Sequence, residues 1–372
     1  MREKLFYINS EVVTLPAIGQ GCMGIGGEFT VDYHNDKEQI EALQYGIDLG
    51  MTLIDTAEVY GAGHSEELVG KAIKGRRSDV IVATKFSPEH SGYLSVIAAA
   101  EQSLKRLGTD YIDIYQIHWP NPTIPLETTL CAMERLVAHG KVRFMGVSNF
   151  YEQDLEKAKA ILEPNQIISN QLEFNLFDRF VERSALPYCQ ENNIVFLAHS
   201  PLDRGRLAPV ADRLVLKGLT SIYNKTVSQI ILNWIVNYKN VIAIPKAVSK
   251  EHILQNAAAV DFDMIAEHYA AIDNLFPDIP IYVGMKYISV SVNGEGNRQV
   301  YQTVEEAKAN HLNLVPSPIE LAKELKKGYP VKPVRLIWNK DHYDLIEGRN
   351  RYWAYYIAFN GETAIPAYIR QR

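Results

Sequence analysis

Cysteine is scarce in this 372-residue chain: Cys22, Cys131 and Cys189 stand far apart, with no CxxC pair. That spacing excludes a disulfide framework and a zinc knuckle, and it fits a reducing compartment. Long apolar runs are also missing. Apolar runs such as those at residues 80–83 and 194–198 fall far short of the roughly 20 residues that span a bilayer. The first five residues carry charge with no apolar stretch after them, so no secretory signal is expected and the cytoplasm is the expected compartment. Gly and Pro, at 23 and 17 residues, are too few for a collagen-like or low-complexity chain, while 47% hydrophobic and 22% charged residues describe a folded protein.

No excess of one charge sign marks the whole, since 38 Lys and Arg face 44 Asp and Glu. The balance nevertheless changes along the chain. Residues 279–372 hold 13 Lys and Arg against 9 Asp and Glu, and 9 of the 21 tyrosines, so the first 278 residues carry a net −10. A seam is therefore expected at 276–280, where FPDIP supplies two prolines and no helical pattern. The expected domains are 1–278 and 279–372.

The first part repeats one theme: a short β-branched or apolar run, a polar turn, then an amphipathic helix. The runs are 17–21, 52–55, 80–84, 112–117, 144–147, 166–172, 195–198 and 241–244. Helical patterns follow them in turn at 37–49, 66–74, 94–107, 127–139, 153–162, 181–192, 226–238 and 250–259. Apolar strands alternating with helices imply a parallel sheet covered on its faces. Eight such units in about 275 residues fit a closed (β/α)₈ TIM barrel, an α/β fold, with an open doubly wound sheet as the alternative.

In a barrel, chemistry is expected just past the C-terminal strand ends. There the second unit ends in Asp55 with Tyr60 five residues on, the third reaches Lys85, the fourth His118, the fifth Ser148 and Asn149, and the seventh His199. Singly, these read as a turn residue, a packing tyrosine, a loop charge and a rim histidine. Together they suit carbonyl reduction, in which an acid must protonate the developing alkoxide. Tyr60 is the candidate donor, Lys85 the cation that eases its ionisation, Asp55 the anchor of Lys85, and His118 the group that orients the carbonyl and helps deliver the proton.

The stretches LIDTAEVYGAGHSEELVG, VIVATKF, DYIDIYQIHWP, GKVRFMGVSNF and VIAIPKAVSKEHILQN strongly resemble the aldo-keto reductase superfamily over about residues 5–275. The resemblance implies a (β/α)₈ barrel, NAD(P)H-dependent reduction of an aldehyde or ketone, and a catalytic tetrad of Asp55, Tyr60, Lys85 and His118. It further implies that Ser148, Asn149 and Gln171 hold the nicotinamide carboxamide. The first-strand loop with Gly21, Cys22 and Met23 would lie under the cofactor, and Ser200, Leu202, Arg204 and Gly205 would hold its pyrophosphate. His199 stands where many relatives place a tyrosine that stacks on the nicotinamide. In the segment from Pro245, Lys246 matches a position that meets the adenosine 2′-phosphate, whereas family Ser and Arg positions read Ala247 and His252. A single ammonium marks a phosphate less specifically than a bidentate Arg, so NADPH is the expected cofactor with NADH left open. Gln255 and Asn256 match the adenine-contacting pair. No metal site is expected.

The tail reads as a strand at 286–292, helices at 304–311 and 319–327, strands at 331–337 and 342–346, a helix at 349–359 and a strand at 365–369. Its order resembles the small α+β fold shared by ParB proteins and sulfiredoxin, on the element Gly348, Arg349, Asn350, Arg351 opening a helix after a strand. The resemblance implies a nucleotide or phosphate at Gly348, Arg349 and Arg351, and free N–H groups at a helix start suit an anion. Sulfiredoxin chemistry needs a nucleophilic cysteine, and residues 279–372 contain none. No helix-turn-helix pattern follows, and a net +4 without a basic stripe argues against nucleic acid. The expected activity is reduction of a small-molecule carbonyl, with a phosphorylated or nucleotide-linked keto-sugar recognised through the tail as the substrate reading. The alternative is a redox-sensing nicotinamide-binding module of the channel β-subunit type, its tail a protein-interaction domain. No membrane partner is expected.

Overall fold

The computed structural model describes residues 1–8, 11–162, 166–275, 280–290, 300–329 and 331–370. The chain divides into two compact units, Met1–Phe276 and Pro277–Arg372. Residues 276–279 of the expected seam lie outside the described residues.

The first unit opens with an antiparallel hairpin, β1 (Glu3–Ile8) and β2 (Glu11–Pro16). Eight parallel strands follow: β3 (Gln20–Gly21), β4 (Leu53–Asp55), β5 (Ile81–Phe86), β6 (Ile112–Ile117), β7 (Val142–Ser148), β8 (Ile167–Glu173), β9 (Val195–His199) and β10 (Val241–Ile244). Each pairs with its sequence neighbours. The sheet closes where Ile18 bridges Ala243, with Gly19 N–H on Ala243 O at 2.8 Å and Ala243 N–H on Ala17 O at 3.1 Å. Closure selects the barrel over the open doubly wound sheet. The first strand's ladder is shorter than its apolar run because the residues of 17–19 serve as this closing seam. A Cβ on Gly19 would meet Leu53 O at 2.8 Å, so the backbones approach too closely for any side chain there.

The strands are apolar on both faces. Their inward residues Leu53, Ala83, Ile114, Phe144, Ile168 and Val195 form a floor with Phe6 and Leu15 from the hairpin. Outward residues pack beneath the helices α1 (Asp36–Asp48), α2 (His64–Ala72), α3 (Tyr93–Leu107), α4 (Leu126–Ala138), α5 (Glu152–Ile161), α6 (Ala185–Glu191), α7 (Ala208–Ala211), α8 (Leu214–Tyr223), α9 (Val227–Asn237), α10 (Lys250–Ala257) and α11 (Ala266–Asp273). The starts and stops follow local chemistry. Thr226 and Gln229 form a capping box on α9, and α3 ends at Gly108 with φ 62°.

Several elements depart from the sequence reading. The pattern at 181–192 is a 3₁₀ turn, Phe180–Arg183, followed by α6. Helices α7, α8 and α11 have no counterpart among the expected helical patterns. In α8, Gly218 sits mid-helix while Leu214 and Ile222 are 88% and 62% exposed, which blurs the amphipathic signal.

The second unit has its own core, built on Val283, Leu336, Leu345, Trp353 and Ile365. Its elements are β11 (Ile281–Gly284), β12 (Ile288–Ser289), α12 (Val304–Ala309), α13 (Pro318–Lys326), β13 (Val334–Asn339), β14 (His342–Glu347), α14 (Arg349–Phe359) and β15 (Ala364–Arg370). The strands form one mixed sheet in the order β11, β15, β13, β14, β12. The strand expected at 286–292 is instead β11 and β12 split by a 3₁₀ turn at Met285–Tyr287, and residues 291–292 lie outside the described residues.

Candidate active site

Parallel pairing brings the C-terminal strand ends to one rim. Gly21 pairs with Asp55, Lys85 with Gln116 and Ser148 with Gln171, so residues far apart in sequence meet there. Lys85 is fully buried, and its Nζ donates to Asp55 Oδ2 at 2.7 Å and to Thr56 O at 2.8 Å. The other oxygen of Asp55 accepts from Gln171 Nε2 at 2.7 Å and Gln116 Nε2 at 3.4 Å. Tyr60 lies over this pair, with Lys85 Nζ 5.0 Å from its ring centroid, and His118 meets the same ring edge-on at 5.8 Å. The four expected catalytic side chains thus form one buried cluster.

Their electrostatics refine the sequence reading. Burial holds the Tyr60 hydroxyl above the ordinary tyrosine value, and the opposing pull of Lys85 does not overcome it. Lys85 therefore does not make resting Tyr60 a stronger acid than an ordinary tyrosine, although its ammonium opposes the effect of burial. Burial draws the Lys85 ammonium down, but Asp55 and then Tyr60 more than offset it, holding the group above the usual lysine value. His118 is pushed well below the ordinary histidine value by burial, then by Lys85 and His199. Its imidazole is thus neutral near pH 7, a state suited to an orienting hydrogen bond rather than to a charged acid. Trp119 stacks on that ring at 3.6 Å.

The strand-end residues beside the tetrad are interlocked. Ser148 Oγ donates to Gln171 O at 3.0 Å, and Asn149 Nδ2 donates to His118 O at 2.9 Å. Asn149 sits at φ 61°, a left-handed conformation that Asn tolerates. Cys22 is buried and its N–H donates to Asp55 O at 2.8 Å, while burial pushes its thiol far up and out of reactive range. Gly21 donates to Pro245 O at 3.1 Å, and a Cβ there would meet Ile244 O at 2.7 Å; Met23 beside it is half-buried.

After β9, His199 Nδ1 lies 3.2 Å from Ser200 Oγ. Ser200, Asp203, Arg204 and Gly205 all take left-handed backbone, so the loop around Leu202 doubles back tightly and leaves Arg204 exposed. After β10, Lys246 is exposed and Ala247 half-buried, and Ser249 caps α10 by accepting from His252 N. Lys250 and His252 are exposed in the first turn of that helix, Asn256 is buried, and Gln255 donates to Glu251 at 3.1 Å. Among the described residues no group of three His, Cys, Asp or Glu side chains could hold a metal ion, and no helix is long and apolar enough to cross a membrane.

Two residues at the site escaped the sequence reading. Gln116 lies two residues before His118 on β6, and the period-2 rule that puts both on the inward face could have found it. Glu58, between Asp55 and Tyr60, gave no signal of its own.

In the second unit, Gly348 opens α14 at φ 95°. Arg351 is folded back onto its own unit. Its guanidinium donates to Lys332 O at 3.1 Å, Pro333 O at 2.7 Å and Glu347 at 2.9 Å. A Cβ on Gly348 would lie 2.9 Å from Arg351 Nη2, so the glycine makes room for this folded-back side chain. Burial holds Arg349 below the ordinary arginine value.

Known proteins resemble this chain in sequence and fold. Methylglyoxal reductase YeaE of Escherichia coli (strain K12) is 37% identical over 279 residues, covering 74% of this chain and 96% of the relative. Glyoxal reductase of Bacillus subtilis (strain 168) is 36% identical, covering 68% and 88%. The crystal structure of an aldo/keto reductase from Klebsiella pneumoniae in complex with NADP and acetate superposes with a TM-score of 0.69 at 38% identity, over 74% of this chain and 96% of that one. The profile of the Aldo/keto reductase family matches residues 17–276. With the barrel and these matches in agreement, the chain belongs to the aldo/keto reductase family and is an oxidoreductase.

Proposed function

We propose that the protein is an NADPH-dependent reductase of small aldehydes and ketones, with Tyr60 as proton donor. The observation that carries this reading is the buried Asp55–Lys85 pair beneath the Tyr60 ring, with a neutral His118 at its edge. The donor set around the strand ends fits the cofactor. Ser148, Asn149 and Gln171 offer the hydroxyl and amides that suit a carboxamide, and exposed Lys246, Lys250 and His252 gather at the start of α10, where cations and free N–H groups suit a phosphate. When bound, NADPH supplies the hydride.

The chain's own residues do the rest. His118 orients the carbonyl oxygen by hydrogen bonding. As that oxygen gains negative charge, the Tyr60 hydroxyl gives it a proton, and the phenolate left behind is held by the Lys85 ammonium until water reprotonates it. Asp55, clamped by two amides, keeps Lys85 in place and charged. The raised pKa of Tyr60 suits the reductive direction, because the donor still holds its proton at neutral pH.

The named activities of the relatives, on methylglyoxal and glyoxal, favour a small 2-oxoaldehyde over a phosphorylated keto-sugar. The intact tetrad speaks against a purely redox-sensing module. For the second unit the ParB/sulfiredoxin likeness supports a nucleotide- or phosphate-binding role in which Arg349 is the candidate contact and Arg351 is not. Calorimetric titration of the full chain with ATP and CTP, giving no heat, would remove that part.

The test of the main reading is turnover of methylglyoxal followed by nicotinamide absorbance. Tyr60→Phe is expected to lower kcat by about 10²- to 10⁴-fold while NADPH still quenches protein fluorescence. No turnover across a panel of aldehydes, or ordinary turnover in Tyr60→Phe, would sink it.

A further inference from the structure

Tyr60 stands on an irregular segment, and hydrogen bonds beyond the strand set where it sits. Past the end of β4, Thr56 N–H donates to Ala83 O at 2.8 Å and Glu58 N–H to Lys85 O at 3.1 Å, so the segment follows β5 outward. The Glu58 side chain then folds over the end of β5. Its Oε1 accepts the Ser87 N–H at 2.6 Å and lies 2.7 Å from His90 Nδ1, with the side chain only 8% exposed. The same turn is tied to the loop after His118, since Asn121 Nδ2 donates to Pro88 O at 2.7 Å.

We infer that Glu58 is a positioning residue for the reduction: its carboxylate fastens the segment that carries Tyr60 to the turn that follows Lys85, and so fixes the proton donor over the Lys85 ammonium. This rests on the reductive reading above. Geometry favours this role over simple surface charge pairing. An ion pair with half-exposed His90 contributes little to stability. The bond from Ser87 differs, because Ser87 is buried and its N–H has this carboxylate as acceptor. Without it, a buried donor is left unsatisfied, and the least costly relief is movement of the turn away from the Tyr60 segment.

The test compares Glu58→Ala and Glu58→Gln in the full-length protein. Glu58→Ala is expected to lower kcat by about 10- to 100-fold, as a displaced reacting group does, with KM for methylglyoxal and NADPH affinity changed by less than about threefold. Hydrogen exchange of the cofactor-free protein should rise in peptides covering 57–63 and 86–91. Glu58→Gln keeps an acceptor oxygen for Ser87 and should recover both readouts. Turnover of Glu58→Ala within about twofold of wild type, or unchanged exchange in those peptides, overturns the inference. So does a Glu58→Gln variant as impaired as Glu58→Ala, which would make charge rather than position the cause. A wild-type protein that reduces nothing sinks the proposed function and this inference together, whereas an active wild type with an equally active Glu58→Ala sinks the inference alone.

Discussion

Lys85 Nζ sits 2.7 Å from Asp55 Oδ2 with the lysine fully buried and the aspartate only 4% exposed. Two opposite charges at that depth hold each other there, because either one alone would face a desolvation cost that the protein does not otherwise offset. Removing one partner should therefore cost more stability than removing both. Lys85→Met is expected to lose about 3–5 kcal/mol, since the two glutamine amides on Asp55 cannot replace a cation. The double variant Asp55→Asn/Lys85→Met should recover part of that loss. Urea unfolding of the three proteins measures it, and a Lys85→Met variant within about 1 kcal/mol of wild type would show that the pair is wetter than its burial implies.

The same pair shows what a sequence reveals. Asp55 and Lys85 could be read because each ends an apolar run, and in parallel strands such ends must gather at one rim. The eight runs were legible for the same reason: strands such as β6, IDIYQI, are buried throughout and carry no competing helical period. Helix α8 was not legible, because Gly218 and exposed Leu214 and Ile222 break the pattern that burial normally writes. The surroundings of Arg351 were illegible for another reason. A sequence shows its charge, but not that Lys332 O and Pro333 O fold within reach of it.

His118 gives the protein a calculable weakness toward acid. Its folded pKa is depressed below the unfolded value of about 6.5, so above that pH the imidazole is neutral in both states and nothing is lost. As pH falls below about 6.5 the unfolded chain takes up a proton that the folded chain refuses, and stability drops by about 1.4 kcal/mol per pH unit until the folded value is reached. His118→Gln removes this term. Between pH 7 and 5, thermal unfolding of wild type should fall more steeply than that of His118→Gln, and parallel slopes would mean that the imidazole protonates in place.

Cofactor choice is expected to rest on Lys246. It is exposed at the approach to α10, while the neighbouring positions that could share a phosphate hold Ala247 and His252. With one ammonium as the main contact, Lys246→Ala should weaken NADPH by about 10- to 100-fold, the range of a charge-assisted hydrogen bond, and leave NADH unchanged. Fluorescence titration with both dinucleotides decides it. Equal loss for the two would place Lys246 on a phosphate common to both rather than on the 2′-phosphate.

Arg351 is expected to matter for the fold of the second unit rather than for an anion. Its guanidinium spans three acceptors, two carbonyls before β13 and the Glu347 carboxylate that ends β14, and Glu347 also accepts from buried Arg335 at 2.8 Å. One side chain thereby ties the start of α14 to the beginning of β13 and the end of β14. Arg351→Met would leave those carbonyls without this donor and Glu347 with one cation fewer, a loss of about 2–4 kcal/mol by the usual cost of breaking such a network. Arg351→Lys should rescue little, because an ammonium lacks the planar fork that reaches all three acceptors. Limited proteolysis of the full chain offers a direct reading: both variants should be cut faster within 277–372 than wild type, and cleavage at the wild-type rate would return Arg351 to the list of candidate ligand contacts.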